Sequence, residues 1–224
     1  MTQESTTGAI EALIVLTEPQ GQAAEAYRTL AANLQYARPD EQLRTILLTS
    51  ARPDDGKTTT LANLGVTAAR AGRSVILVDC DLRRPGLHRI FGLGNTTGVA
   101  TVLQQHAPVQ EALQLSSVPG LRILTSGPPP PNPADVLGGP ATKPLLEELA
   151  ASADLVLVDA PPVTRVADAS LLAPLVDGVI LVVTAMRTRR EQAIEAKAQL
   201  DRVNASVLGV ILNNAHVDRD AFRY

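Results

Sequence analysis

The sequence predicts an α/β fold, a three-layer sandwich in which helices cover both faces of a mostly parallel sheet. Apolar runs of strand length alternate with helical stretches from residue 44 onward, and this alternation is typical of parallel sheets. Hydrophobic residues make up 45% of the 224 residues, but aromatic residues only 2%, and Trp is absent. The core is therefore expected to consist of Val, Leu, Ile and Ala, as in buried parallel strands. The length suits one domain with short extensions.

Charge and cysteine content exclude several classes of protein. The net charge of −3 and the sequence pI of about 5.6 argue against a nucleic-acid-binding surface, so we expect no nucleic-acid partner. The single cysteine, Cys80, lies in an apolar run, which favours a packing role and a reducing compartment. We find neither an apolar run of the roughly 18 residues that a membrane span needs nor a signal peptide. The expected location is the cytoplasm, with any recruitment to the inner face of the plasma membrane made through a partner.

The N-terminal region is predicted to be a flexible lead-in over residues 1–20, followed by a domain over 21–216 and a mobile tail over 217–224. Apolar residues at spacings of three and four predict a helix over 22–36, which Pro39 ends. Six apolar runs are predicted as strands: 46–49, 75–78, 121–124, 155–158, 179–183 and 207–212. The segment from Thr188 to Glu191 has the form of a capping box that opens the helix after the fifth of these strands.

The first predicted strand leads into a phosphate-binding loop, which has the form [Gly/Ala]-x-x-x-x-Gly-Lys-[Ser/Thr], and a helical pattern follows it. Strand, loop and helix in this order let backbone N–H groups at the helix N-terminus hold a polyphosphate. Lys57 is expected to reach the β- and γ-phosphates, and the Thr58 hydroxyl to bind Mg²⁺. The predicted nucleotide-contacting residues are Ala51, Arg52, Pro53, Asp54, Asp55, Gly56, Lys57, Thr58 and Thr59. Two adjacent carboxylates in such a loop would lower nucleotide affinity unless they point away.

The second predicted strand ends in Asp79 and is followed at once by Asp81 and Arg83, all three of which are candidate catalytic residues. Residues i and i+2 of an extended chain point the same way, so both carboxylates can face one site. There they could bind metal-coordinated water or accept a hydroxyl proton. The alternative is a solvated strand end with helix-capping aspartates.

A third candidate carboxylate, Asp159, ends another apolar strand, in the pattern whose aspartate holds Mg²⁺ in phosphate-binding loop proteins. The following Pro161-Pro162 fixes a rigid turn. Asp168 is expected to cap the next helix. Asn213 ends the last strand, where its amide could contact an adenine edge or simply form a turn.

Together these motifs resemble the bacterial tyrosine kinases, which belong to the MinD/ParA-like branch of P-loop ATPases. The matching segments follow the family's order over roughly residues 20–215: 49–51 leading into the loop, 79–85, Gly127 with 131–134, 159–163 and 208–213. The resemblance implies a cytoplasmic kinase domain of an exopolysaccharide or capsule regulator, with ATP and Mg²⁺ as cofactors.

The resemblance also implies roles for the candidate residues. Phosphate would pass from ATP to tyrosine, mainly between subunits of a homo-oligomer. Lys57 would stabilise the transferred phosphate, and Asp79 would face the tyrosine hydroxyl as base. Thr58, Asp81 and Asp159 would hold Mg²⁺ directly or through water. The implied partner is a separate transmembrane adaptor concerned with polysaccharide chain length.

Two departures from the family pattern bear on assembly and substrate. The family's ring-forming helix reads Glu-x-x-Arg-x-x-Arg, whereas here Glu25 and Arg28 are followed by Ala31. The expected homo-oligomer is a dimer or a ring, and the missing arginine puts the ring in doubt. The family's tails carry clusters of tyrosines, but only Tyr224 of the three tyrosines lies in this tail, so it is the predicted phosphoacceptor.

Two alternatives to the kinase remain open. One is a non-kinase ATPase switch of the MinD/ParA kind, which dimerises on ATP and binds a partner. Such proteins carry a signature lysine five residues before the loop lysine, and Arg52 holds the charge at that position. The other is a nucleotide-binding structural partner of a polysaccharide assembly whose catalysis has degenerated.

Overall fold

A computed structural model describes residues 12–38 and 42–215 of the chain. These residues form a seven-stranded sheet in the order β3-β4-β2-β5-β1-β6-β7. Each neighbouring pair is parallel except β3 and β4, which are antiparallel. From β1 the chain first builds the side of the sheet that holds β2, β4 and β3, and later the side that holds β6 and β7. Where the strand order switches, the carboxyl ends of β1, β2 and β5 form a crevice of the kind that binds ligands in open α/β sheets.

The described strands are β1 (Thr45–Ser50), β2 (Val75–Asp79), β3 (Leu113–Leu115), β4 (Leu121–Leu124), β5 (Leu155–Asp159), β6 (Gly178–Thr184) and β7 (Val207–Asn213). The described α-helices are α1 (Ile14–Thr17), α2 (Gln22–Gln35), α3 (Lys57–Arg70), α4 (Leu87–Phe91), α5 (Val99–Gln105), α6 (Val109–Ala112), α7 (Pro133–Leu137), α8 (Thr142–Ala151), α9 (Asp168–Leu172) and α10 (Arg190–Arg202). A 3₁₀ turn, Ala173–Leu175, follows α9.

The two faces of the sheet bury separate hydrophobic clusters, because successive strand residues point to opposite sides. In β1, Leu48 packs with Leu61 of α3 on the face that α1 and α2 also cover. Its neighbour Leu47 packs on the other face, with Leu146 of α8 and Leu200 of α10. This arrangement confirms the predicted three-layer α/β sandwich.

All six predicted strands are present, and the helix predicted over 22–36 is α2. The sequence did not reveal β3, which has three residues on the sheet edge and shows no fully buried position. So short and half-exposed a strand has no hydrophobic periodicity to detect.

Residues 12–20, the described part of the predicted lead-in, include the short helix α1. Val15 in α1 is buried, and its N–H donates to Asn63 Oδ1 at 3.2 Å. Arg70 donates in turn to the Val15 carbonyl at 3.0 Å. These contacts fasten α1 to α3. Residues 1–11, Pro39 and the predicted tail, 217–224 with Tyr224, lie outside the described residues.

The capping box predicted at Thr188 was wrong by one residue. Helix α10 begins at Arg190, and the Arg189 N–H donates to the Gln192 side chain at 3.1 Å. The Thr188 hydroxyl instead bonds the Asp55 carboxylate, a long-range partner that outcompetes the local cap. No helix among residues 12–38 and 42–215 is long and apolar enough to cross a membrane.

Candidate active site

The phosphate-binding loop joins β1 to α3, and Gly56 closes it in a left-handed conformation with φ 82°. A side chain at this position would be strained, and its Cβ would collide with the Asn213 amide. Glycine is therefore required where the backbone turns into the helix. The N–H groups that open α3 face the crevice that a polyphosphate would occupy.

The two loop carboxylates have different surroundings. Asp55 is buried and accepts hydrogen bonds from the Arg52 N–H at 2.9 Å and the Thr188 hydroxyl at 2.8 Å. Asp55 thus stabilises the conformation of the loop through these hydrogen bonds and does not line the crevice. Asp54 is exposed and lines the crevice, with Arg84 3.9 Å away. The predicted electrostatic conflict with polyphosphate is confined to Asp54.

Lys57, the first residue of α3, lies among carboxylates from two other strand ends. Its Nζ is 2.9 Å from Asp81 Oδ2 and 3.5 Å from Asp159 Oδ1. The Thr58 hydroxyl donates to Asp159 Oδ2 at 2.6 Å. Burial by itself lowers the pKa of Lys57, but the charges of Asp159 and Asp81 outweigh it, so the pKa is raised and the side chain stays cationic.

The donor set fits Mg²⁺ held jointly by protein and phosphate. Asp159 Oδ1 is buried and accepts no hydrogen bond; its ionic partner is Lys57 Nζ at 3.5 Å, and a Mg²⁺ ion beside Thr58 would take over that role. Burial, the largest influence, raises the pKa of Asp159, and Lys57 and the Thr58 hydroxyl oppose that rise. The described residues contain no group of three or more His, Cys, Asp or Glu side chains that could hold a metal alone. This is typical of Mg²⁺, which keeps few protein ligands and binds substrate phosphates.

Asp79 does not face the same space as Asp81, contrary to the prediction from their spacing. It is fully buried, and its Oδ2 accepts the N–H groups of Gly86 and Leu87, each at 3.0 Å. Its Oδ1 accepts the Asp81 N–H at 3.3 Å. Burial, reinforced by the charge of Asp159, raises its pKa to about 7. With both oxygens engaged by backbone N–H groups, Asp79 holds the segment between β2 and α4 and does not line the crevice.

Arg83 and Asp168 form an ion pair. The sequence analysis predicted Arg83 as a catalytic candidate and Asp168 as a helix cap, but did not pair them. Arg83 Nε and Nη2 bond Asp168 Oδ2 and Oδ1 at 2.8 and 3.0 Å, a bidentate contact. Asp168 is the first residue of α9, after the N-cap Ala167, and makes no cap hydrogen bond. The capping prediction was therefore wrong, because a buried carboxylate gains more from an arginine fork than from a backbone N–H.

The remaining predicted nucleotide contacts are distributed around the loop. Ala51 is buried, whereas Pro53 and Thr59 line the crevice. Arg52 donates to the Arg187 carbonyl at 2.6 Å, on the loop after β6. The Asn213 amide donates to the Asp55 carbonyl at 3.2 Å, which ties β7 to the loop.

The crevice has a volume of about 540 Å³ and is bordered by arginines that the sequence motifs did not single out. They are Arg84 and Arg89 on one segment and Arg165 on another. Their closeness in sequence to Asp81 and to the turn at Pro161-Pro162 could have indicated that they lie at the crevice. A second cavity of about 530 Å³ lies between α2 and α3 at the opposite ends of the strands, away from these groups.

Proteins of known family and structure resemble this chain in sequence and in fold. Residues 42–221 match the family model ParA, described as a NUBPL iron-transfer P-loop NTPase. Tyrosine-protein kinase YwqD of Bacillus subtilis (strain 168) is 41% identical over 207 residues, which are 92% of this chain and 87% of the relative.

Two solved structures are also similar. The chimerical protein CapA2B2 superimposes with a TM-score of 0.88 at 33% identity, over 92% of this chain and 91% of the other. The kinase domain of Escherichia coli tyrosine kinase ETK gives a TM-score of 0.86 at 26% identity, over 95% and 84% respectively. The chain therefore belongs to the ParA family of P-loop NTPases and, within it, to the bacterial tyrosine-protein kinases.

Proposed function

We propose that this protein transfers the γ-phosphoryl group of ATP to tyrosine. The observation that supports it best is a cluster of four polar side chains at the adjacent ends of β2, β5 and β1. Lys57 Nζ lies within 3.5 Å of the Thr58 hydroxyl and of the Asp81 and Asp159 carboxylates. The Thr58 hydroxyl also bonds Asp159. A cation, a hydroxyl and two carboxylates beside an N–H cradle are the parts that phosphoryl transfer needs. The names of its relatives point to the same acceptor.

In this proposal, the loop N–H groups bind the β- and γ-phosphates, and Lys57 leaves its carboxylate partners to contact them. Lys57 then stabilises the negative charge that develops on the transferred group. The tyrosine oxygen forms a bond to the γ-phosphorus as the bond to the ADP oxygen breaks. Asp81 lines the crevice and is the carboxylate that we assign to accept the phenolic proton.

Thr58 and Asp159 would hold Mg²⁺, with Asp81 contributing through water. The ion supplies neutralisation of the phosphate charge when it is bound. Arg83, held by Asp168, supports the segment that carries Asp81. Asn213 remains a proposed contact of the nucleotide through its position beside the loop.

We further propose that the acceptor is Tyr224 of another subunit, that the partner is a separate transmembrane adaptor, and that the process is exopolysaccharide or capsule synthesis. Since ATP is the donor, the reaction would take place in the cytoplasm, at the membrane when the adaptor recruits the kinase. The oligomer would be a dimer or a ring; Arg28, which the ring-forming pattern would use, is paired with Glu25 on its own helix at 2.6 Å.

The test is to incubate the purified protein with Mg-ATP and map phosphotyrosine by mass spectrometry. The proposal predicts phosphate on Tyr224, lost in both Lys57→Met and Tyr224→Phe. ATP binding without phosphotyrosine, even with the adaptor's cytoplasmic segment added, would contradict the kinase and indicate an ATPase switch.

A further inference from the structure

Three arginines border the crevice without strong ionic partners. Arg89 and Arg165 are exposed, and neither forms an ion pair with any residue in the part of the chain that the structure describes. The Arg84 side chain is 72% exposed and only 3.9 Å from the exposed Asp54, so that contact is weak. We call these three residues the arginine rim. The rim therefore places positive charge beside the crevice, and strong ion pairs within the described residues do not neutralise this charge.

The segments that carry the rim are held firmly. Arg89 belongs to α4, whose first N–H groups are fixed by the buried Asp79. Arg165 follows a turn in which the Val163 N–H bonds the Ser50 carbonyl at 3.1 Å. The Thr164 hydroxyl bonds the Ala51 carbonyl at 2.7 Å. The backbone under both arginines is therefore fixed relative to the phosphate-binding loop.

The rim lies at the end of the crevice where the γ-phosphate would sit. Gly86, just before α4, packs so closely on the Thr58 methyl group that an added Cβ would lie 2.9 Å from it. The segment with Arg165 begins two residues after Asp159, which bonds the same Thr58. Thr58 is the residue that holds Mg²⁺ between the β- and γ-phosphates in such sites. The two arginines thus flank the entry of the phosphate acceptor.

We propose that the arginine rim selects acceptor peptides with Asp or Glu beside the tyrosine. This inference rests on the proposed kinase function and names its substrate class. Guanidinium groups bind carboxylates bidentately, and binding a peptide would partly desolvate them and strengthen the contact. The loop N–H groups and Lys57 already serve the nucleotide phosphates, so the rim is available for the acceptor.

The chain's own tail is a poor match to this preference. Between residues 218 and 224, Asp218 and Asp220 are balanced by Arg219 and Arg223, and Arg223 directly precedes Tyr224. The rim repels a cation at that position. Acidic protein substrates should therefore compete well against Tyr224, and Arg223→Glu should increase phosphate on Tyr224.

The test uses two synthetic peptides with one tyrosine each, one carrying aspartates on both sides and one carrying asparagines. For the wild-type protein, we expect kcat/KM about tenfold higher with the aspartate peptide, mainly through KM, as two or three exposed pairs would give. In the double variant Arg89→Gln/Arg165→Gln this ratio should fall toward one, with KM for ATP unchanged. Arg202→Gln, an exposed arginine on α10, is the matched control and should keep the wild-type ratio.

A charge swap sharpens the result. Arg165→Glu should gain activity on a third peptide with lysines in place of the aspartates, and added salt should reduce every preference. An unchanged peptide ratio in the double variant overturns the proposal, as does a raised KM for ATP alone, which would assign the rim to the nucleotide. If no peptide is phosphorylated, the kinase proposal fails separately. Fluorescence anisotropy with a nonhydrolysable ATP analogue then still decides whether the rim prefers the aspartate peptide.

Discussion

Replacing Asp79 separates a structural role from a catalytic one. Its carboxylate is fully buried and accepts the Gly86 and Leu87 N–H groups, each at 3.0 Å. In Asp79→Ala these two donors, and the Asp81 N–H at 3.3 Å, lose their partner. Each buried unsatisfied group costs about 1–3 kcal/mol. Relief of the buried charge offsets part of this, so we expect a loss of about 2–4 kcal/mol in the free energy of unfolding.

The assay is urea denaturation of the apoprotein, supported by thermal unfolding. For a chain of this size, each kcal/mol lowers Tm by about 2–4 °C. Asp79→Asn keeps one acceptor oxygen in nearly the same volume and should lose only about half as much, about 1–2 kcal/mol. The order wild type, then Asn, then Ala is the signature of a residue that holds the backbone after β2.

The pH dependence provides an independent check. Because burial raises the pKa of Asp79 from its ordinary value of 3.8 to about 7, the folded protein keeps a proton that the unfolded chain releases. This contribution to stability is full below pH 3.8 and is lost as pH rises through about 7. Asp79→Asn lacks it, so its deficit relative to wild type should be larger at pH 5 than at pH 8.

The opposite pattern would identify Asp79 as a catalytic residue. If Asp79→Ala unfolds with the wild-type free energy and binds ATP normally, yet loses phosphotransfer by about a thousandfold, Asp79 faces the substrate as a base. Asp81→Asn is the companion variant, because its carboxylate lines the crevice. It should reduce kcat while leaving the fold intact.

Three further predictions concern the loop. Lys57→Met should abolish phosphotransfer. It should also lower the free energy of unfolding of the apoprotein by about 3–5 kcal/mol, because Asp159 loses its cation in a buried site. A variant as stable as wild type would show that the Lys57–Asp159 ion pair does not stabilise the fold. Thr58→Ala should weaken Mg-ATP binding about tenfold by calorimetry but leave magnesium-free ATP binding nearly unchanged, and Thr58→Ser should restore it. Gly56→Ala should destabilise the protein by about 1–3 kcal/mol, since φ is 82° and its Cβ meets Asn213; Asn213→Ala should recover only the steric part, and full recovery would exclude backbone strain.

The sequence alone determined the fold class, six of the strands and the identity of the phosphate-binding loop. These features depend on local pattern: strand periodicity, the aliphatic composition of a parallel sheet, and fixed spacings such as that from Gly56 to Thr58. The topology rules of parallel sheets then place every strand end with an acidic motif on one edge. Convergence of Lys57, Asp81 and Asp159 at one site was therefore predictable without coordinates.

The use of each polar group depends on long-range contacts that the sequence does not reveal. Asp79 and Asp81 share a spacing that permits one common site, yet the N–H groups of the turn before α4 capture Asp79. Thr188 and Asp168 had the local pattern of helix caps, but their partners, Asp55 and Arg83, are 133 and 85 residues away in sequence. A buried charge takes the partner that satisfies it best in space, and sequence separation does not limit that choice.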